Sequence, residues 1–196
     1  MTALPAPVTA LLVVDVQSAF VAGDAAVPDA PRLLDRVTDL VGRAREAGAL
    51  VVHLQNDGPA GQPDEPGTPG WKLHLPVRTG PAETVIRKSE DDGFEETPLE
   101  AELRAAGVRA LAVCGVMSEM CVIATARRAL ELGYRVVLPH DAHATYDVPA
   151  APDISDVVPA AMASRVAEWA LGDSVEIVAR AATVPFATPS ASTRTA

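Results

Sequence analysis

The chain has 196 residues, enough for one α/β domain with a sizeable core and short for two, and its formal net charge of −10 lacks the clustered Lys and Arg that nucleic acid and anionic membrane surfaces demand. Met1 to Ala10 carries no basic stretch and the apolar run Leu11–Val14 stops at Asp15, so neither a signal peptide nor a membrane span is expected, and the chain is placed in the cytoplasm. Cys114 and Cys121, without a signal peptide, give neither a disulfide framework nor a zinc pattern.

In chain order, apolar runs alternate with helical patterns. Leu11–Val14, Leu50–Leu54, Val85–Ile86, Ala110–Val113, Val136–Leu138 and Val175–Val178 read as strands; Arg32–Ala47, Leu99–Ala106, Glu119–Leu132 and Val157–Leu171 read as helices. Strand runs that are continuously apolar imply burial on both faces. The expected fold is therefore α/β, three-layer and doubly wound, with a mostly parallel six-stranded sheet of Rossmann type. One domain is expected over residues 1–186, followed by a Ser-, Thr- and Ala-rich tail over 187–196 that reads as disordered. Gly48, Gly107 and Gly133 stand where helices should end in left-handed caps. Between Gln55 and Pro81, six prolines and five glycines make a connection too long for an ordinary α/β loop, a lid or an interface arm with Trp71, His74 and Leu75 as anchors.

Ligands in open α/β sheets bind outside the carboxyl ends of the strands, which draws attention to polar residues just past each run. Asp15 follows Leu11–Val14, Lys88 follows Val85-Ile86-Arg87, and Cys121 opens the helix after Ala110–Val113. Ser118 reads as the N-cap of that helix, which would put Cys121 at its third position, where free N–H groups and the helix dipole favour a thiolate. Taken alone, Cys121 reads first as a small core residue, which is how Cys114 reads. Lys88 is one of two lysines beside fourteen arginines, and a buried ammonium does what a guanidinium cannot. Jointly, at matching strand ends, a carboxylate, an ammonium and a thiol suit proton shuttling and nucleophilic attack without a histidine.

Three segments carry a resemblance: Leu11-Leu12-Val13-Val14-Asp15-Val16-Gln17; Val85-Ile86-Arg87-Lys88-Ser89 with Phe94, Thr97 and Leu99; and Cys114-Gly115-Val116-Met117-Ser118-Glu119-Met120-Cys121 with Thr125 and Ala126. From Leu11 to Val178 the chain resembles the isochorismatase-like cysteine hydrolases, which include nicotinamidases and N-carbamoylsarcosine amidase. The resemblance implies a catalytic triad of Asp15 as proton shuttle, Lys88 as supporting cation and Cys121 as nucleophile. It implies a cis Val116–Met117 peptide that aims the Met117 amide, with that of Cys121, at an oxyanion. The reaction would run through a thioester. Gln17, Phe20, Trp71, Phe94 and Glu119 are the candidate pocket lining, and a homo-oligomer is expected.

Nicotinamidases hold a metal with an Asp and several His after the second strand, and His53-Leu54-Gln55-Asn56-Asp57-Gly58 lacks that set. His53 reads as a satisfied core histidine, and none of the four histidines reads as part of a ligand-spaced pair backed by carboxylates. No metal and no cofactor are expected. Isochorismatases proper, which cleave a vinyl ether, generally lack the cysteine. The first expectation is thus an amidase acting on an amide or lactam C–N bond of a small molecule; the alternatives are vinyl ether hydrolysis and a catalytically silent binding module. A nucleotide-binding domain would want a Gly-rich turn where Asp15-Val16-Gln17 stands. Asp64, Glu65, Glu90, Asp91, Asp92, Glu95, Glu96, Glu119, Asp141 and Asp147 read first as solvated surface and second as recognition of a cation. Within the family, lactam opening in the polycationic antibiotic streptothricin fits that second sense.

Overall fold

The computed structural model describes residues 6–189. Among the described residues seven strands form one sheet: β1 (Ala10–Val14), β2 (Leu50–Asn56), β3 (Glu83–Lys88), β4 (Ala110–Val116), β5 (Arg135–Pro139), β6 (His143–Ala144) and β7 (Glu176–Val178). All strand pairs are parallel, in the order β3-β2-β1-β4-β5-β7, with the two-residue β6 added beside β4. The connection reverses direction between β1 and β4, which opens a crevice at their carboxyl ends.

The strands lie between two apolar layers because their side chains alternate. Leu11, Val13, Val51, Ala112 and Cys114 face α2 (Ala30–Glu46), while Leu12, Val14, Val52, Leu111 and Val113 face α3 (Leu99–Ala105) and α4 (Ile123–Glu131). A short α1 (Ser18–Val21) follows β1, and α5 (Ala160–Ala170) packs against β6 and the turn after β4. Gly48, Gly107 and Gly133 all have positive φ at helix ends. Among the described residues no helix is long and apolar enough to cross a membrane.

Two helices start later than the periodicity suggests. Val158 pairs with Val148 in an extended bridge just before Pro159, and the residue before a proline is disfavoured in helix, so α5 begins at Ala160 rather than Val157. The helix expected from Glu119 is broken at Met120, whose φ of −116° and ψ of −109° are not helical; a π-turn over Ser118–Val122 precedes α4. β6 was missed because two residues carry no periodicity.

The long connection is tied to the β1–α1 corner. Leu73 bridges Gln17, His74 N–H donates to Val16 O at 2.8 Å, and Gly70 O and Lys72 O accept from Ala19 and Ser18, each at 2.9 Å. At the far end, Ala187 N–H donates to Val8 O at 2.9 Å and the Thr188 hydroxyl to Ala47 O at 2.8 Å. The rest of the tail, 190–196, lies outside the described residues.

Candidate active site

The ends of β1, β3 and β4 bring Asp15, Lys88 and Cys121 together. Asp15 has φ 50°, a left-handed conformation that Asp adopts more readily than most residues. Its N–H donates to Leu54 O at 3.0 Å and its carbonyl accepts from Gln17 N–H at 2.7 Å, fixing the turn that carries the carboxylate. Gly115, paired with Val14, has φ 120°, and a Cβ there would lie 2.0 Å from Val14 O. Only glycine lets β4 run this close to β1 at the place where the crevice forms.

Lys88 Nζ lies 2.9 Å from Asp15 Oδ2 and donates to Cys121 Sγ at 3.3 Å, Glu90 O at 3.1 Å and Asn56 Oδ1 at 3.4 Å. Asp15 and Lys88 are buried and Cys121 is half-buried. Among the described residues Asp15 Oδ1 is buried with no hydrogen-bond partner, so one oxygen of the carboxylate is clamped and the other is open to a proton. Burial raises the Asp15 pKa against the pull of Lys88. Burial also acts against the Lys88 charge, yet Asp15 and Cys121 hold its ammonium above the usual lysine range. The Cys121 thiol is pushed up by burial and by Asp15, with Lys88 opposing.

That corrects the expectation of a ready-made thiolate. Because Met120 breaks the helix, Cys121 precedes α4 rather than occupying its third position, and Ser118 is no N-cap. The Ser118 side chain is buried, with Oγ 2.8 Å from His143 Nδ1 and 2.9 Å from Ser164 Oγ. The Val116–Met117 peptide is cis, as the resemblance implied, and Met117 O accepts from the N–H groups of Met120 and Val122, both at 3.2 Å.

Two of the expected pocket residues are buried, Gln17 and Phe94. Gln17 is fully buried: Nε2 donates to Asn56 O and Trp71 O, both at 3.0 Å, while Oε1 accepts from Asn56 N–H at 2.8 Å. It clamps β2 and the long connection to β1. Phe94 is turned into the core against Tyr134, ring centroids 6.3 Å apart. Phe20 packs half-buried on the α2 side. Trp71 is half-buried, its indole N–H donating to Asp57 Oδ1 at 2.8 Å under the Arg87 guanidinium. Glu119 is exposed on the π-turn and accepts from the Thr145 hydroxyl at 2.8 Å.

Most of the acidic residues have local structural tasks. Asp64 is buried and accepts from Asn56 Nδ2, Glu65 accepts from Gly61 N–H, Asp92 from Phe94 N–H, Asp141 from Ala181 N–H and Asp147 from Ala160 N–H. Asp91 differs: its Oδ1 lies 3.4 Å from Cys121 Sγ. Placement just past β3 was the signal for it, lost among nine other acids. Asn56 was missed too, although it ends β2 at the same sheet edge.

The histidines divide. His53 is buried with Nε2 3.0 Å from Glu83 Oε1, a satisfied core residue. His140 Nδ1 and His143 Nε2 lie 2.6 and 3.0 Å from Glu168 Oε1, and by type and spacing the three form a group able to hold a metal ion. This corrects the expectation that no histidine pair is backed by a carboxylate; Glu168 comes from α5, distant in sequence. Burial would raise the Glu168 pKa, but the hydrogen bonds from His143 and His140 keep it below the usual range. An anionic Glu168 only accepts, so His143 Nε2 donates to it; in the neutral imidazole Nδ1 then accepts from the Ser118 hydroxyl. The cluster is self-satisfied without an ion and backs the π-turn.

The family described as Isochorismatase domain matches residues 9–167. A streptothricin hydrolase from Streptomyces noursei is 74% identical over 182 residues, covering 93% of this chain and 66% of that relative; a second from the same organism is 72% identical over 181 residues, covering 92% and 72%. The chain thus spans about two thirds of the length of these relatives. Among solved structures, an isochorismatase from Pseudomonas putida KT2440 matches with a TM-score of 0.82 at 30% identity, covering 92% of each chain.

Proposed function

The chain belongs to the isochorismatase family, and from that premise we propose that it is a cytoplasmic, cofactor-independent cysteine hydrolase opening an amide or lactam C–N bond of a small cationic molecule, with a streptothricin-like lactam as substrate. The carrying observation is the Lys88 ammonium held between the Asp15 carboxylate at 2.9 Å and the Cys121 sulfur at 3.3 Å, with Asp15 Oδ1 left unpartnered. Vinyl ether hydrolysis has no task for that thiol.

In the proposed reaction Asp15 Oδ1 takes the Cys121 proton as Sγ attacks the carbonyl carbon. The oxyanion accepts from the Met117 and Cys121 amides. Asp15 returns the proton to the nitrogen, the C–N bond breaks, and an acyl thioester remains; in a lactam the amine stays tethered. Asp15 then takes a proton from water, the hydroxide adds to the thioester carbonyl, the C–S bond breaks and the sulfur recovers the proton. Lys88 remains protonated throughout, compensating the negative charge that moves between Asp15 and Cys121.

Intact mass spectrometry on protein quenched during turnover of streptothricin checks this. An acyl adduct on Cys121 is expected, with a product heavier than the substrate by one water. Turnover surviving in purified Cys121→Ala would end the proposal. A homo-oligomer belongs to the same proposal, supported by Met162, Val166 and Trp169, spaced along one face of α5 and 58%, 61% and 75% exposed. Light scattering is expected to give a dimer or larger, reduced to monomer by Trp169→Lys.

A further inference from the structure

Asp91 stands three residues past the end of β3 on a loop that is fixed at both sides. Before it, Glu90 O accepts from Lys88 Nζ at 3.1 Å; after it, Gly93 N–H donates to the Thr125 hydroxyl at 2.9 Å, and that hydroxyl donates to Asp91 O at 3.4 Å. Gly93 sits so close to Leu54 that a Cβ would lie 2.5 Å from Leu54 Cδ1, so the loop has little room to shift. The carboxylate is nonetheless exposed, with Oδ1 3.4 Å from Cys121 Sγ. Other acids around it have cationic neighbours: Asp57 pairs with Arg87 at 2.6 Å, Asp92 faces Arg128 at 3.9 Å and Asp15 has Lys88. Among the described residues no basic side chain pairs with the Asp91 carboxylate.

This placement is costly for a cysteine hydrolase. Attack requires negative charge to develop on sulfur, and an anion at contact distance opposes it; Asp91 joins burial and Asp15 in pushing the Cys121 thiol up. The position makes sense if the charge is cancelled when the substrate arrives. We infer that the Asp91 carboxylate is the seat for a positive group of the substrate, a guanidinium or ammonium beside the scissile carbonyl, and that cancelling its charge is what makes Cys121 competent to attack. This rests on the hydrolase function proposed above. An ion pair to Oδ1 at about 2.8 Å, the 3.4 Å from Oδ1 to Cys121 Sγ and an attack distance of about 3.3 Å place the positive nitrogen within about 9.5 Å of the carbonyl carbon. A neutral amide in the same pocket would leave Asp91 charged against the developing thiolate. Selection for cations would therefore act on the chemical step as well as on binding.

The test compares wild type with Asp91→Asn, which keeps the side-chain shape and removes the charge at an exposed position. In one arm both proteins are alkylated at fixed pH and ionic strength with cationic 2-bromoethylammonium and with neutral iodoacetamide, and Cys121 modification is followed by intact mass. The ratio of cationic to neutral rate is expected to fall at least tenfold in the variant, and alkylation by iodoacetamide to become faster. In the other arm, kcat/KM on streptothricin is expected to fall on the order of a hundredfold through a raised KM with kcat not lowered, since the variant loses the seat for the cation and has no charge left for the substrate to cancel. An unchanged alkylation ratio overturns the inference whatever the turnover. If the ratio collapses while wild type hydrolyses no amide or lactam, the cation seat stands and the proposed reaction fails. If wild type turns over streptothricin and the variant matches it, the reaction stands and the role of Asp91 is withdrawn.

Discussion

Lys88 Nζ lies 2.9 Å from Asp15 Oδ2 with both residues only 3% exposed, so the pair is a buried ion pair whose ammonium also reaches the sulfur. Such a pair is weak evidence for stability and strong evidence of a task, because removing one partner leaves an uncompensated charge. Lys88→Met is expected to lower kcat/KM by on the order of 10³-fold and to destabilise by about 3 kcal/mol. Lys88→Arg should be nearly as damaging to activity, since a planar guanidinium does not fit between Asp15, Asn56, Glu90 O and Cys121. Steady-state kinetics with urea titrations of each variant check both numbers. An Arg variant keeping most of the wild-type rate would reduce Lys88 to a general positive charge.

The two cysteines give a second contrast. Cys121→Ala is expected to abolish turnover with an unchanged melting curve, because the side chain is half-buried at a crevice rather than in a packed layer. Cys114 is completely buried in the α2-side core, its Sγ 3.6 Å from Leu12 O. Cys114→Ala should keep activity and cost about 1 kcal/mol for the small void.

How much of this was legible in the sequence follows from distance along the chain. Strand runs and glycine caps are local signals, and Asp15, Lys88 and Cys121 each stand beside one, so the strand-end rule reached all three. Gln17 and Phe94 sit in the same motifs, but which way a side chain turns is decided by partners, Asn56 and Trp71 for one and Tyr134 for the other, that no local spacing reveals. The Ser118 cap failed for a related reason: a hydroxyl serves as a cap only if nothing better is offered, and His143 and Ser164 offer more. The His140–His143–Glu168 group needed α5 folded back onto β6 before it existed at all.

That group supports a third prediction. Glu168 holds His143, His143 holds the Ser118 hydroxyl, and Ser118 opens the π-turn that carries Cys121 and directly follows Met117. Ser118→Ala should therefore lower kcat about tenfold to a hundredfold with KM nearly unchanged, the pattern of a misplaced turn rather than a lost contact. Ser118→Thr, which retains the hydroxyl, should recover part of the rate. Exhaustive chelation of wild type is expected to change nothing; loss of activity restored by zinc would instead assign the group as a metal centre.

Two carboxylates away from Asp15, Glu83 and Glu168, are held below the usual range and contribute stability that acid removes. Glu83 is buried at the start of β3, where burial would raise its pKa, but Arg45, the Arg78 N–H and His53 outweigh that and hold it at about 2 against an ordinary 4.5. A carboxylate depressed on folding contributes stability that is fully present above its unfolded value and is lost as the pH falls from about 4.5 towards 2. The shift corresponds to about 3 kcal/mol. His53 acts in the same direction, since burial lowers its pKa and unfolding lets it take a proton as the pH falls below about 6.5. Asp15 acts oppositely, its raised pKa favouring the folded form in acid, but it is common to wild type and variant and cancels in their difference. Glu83→Gln should be less stable than wild type at pH 7, and the gap should narrow between about pH 4.5 and 3, measured by urea unfolding at several pH values. A gap that stays constant over that range would show that acid lability resides in other carboxylates and that Arg45 and His53 hold Glu83 by packing alone.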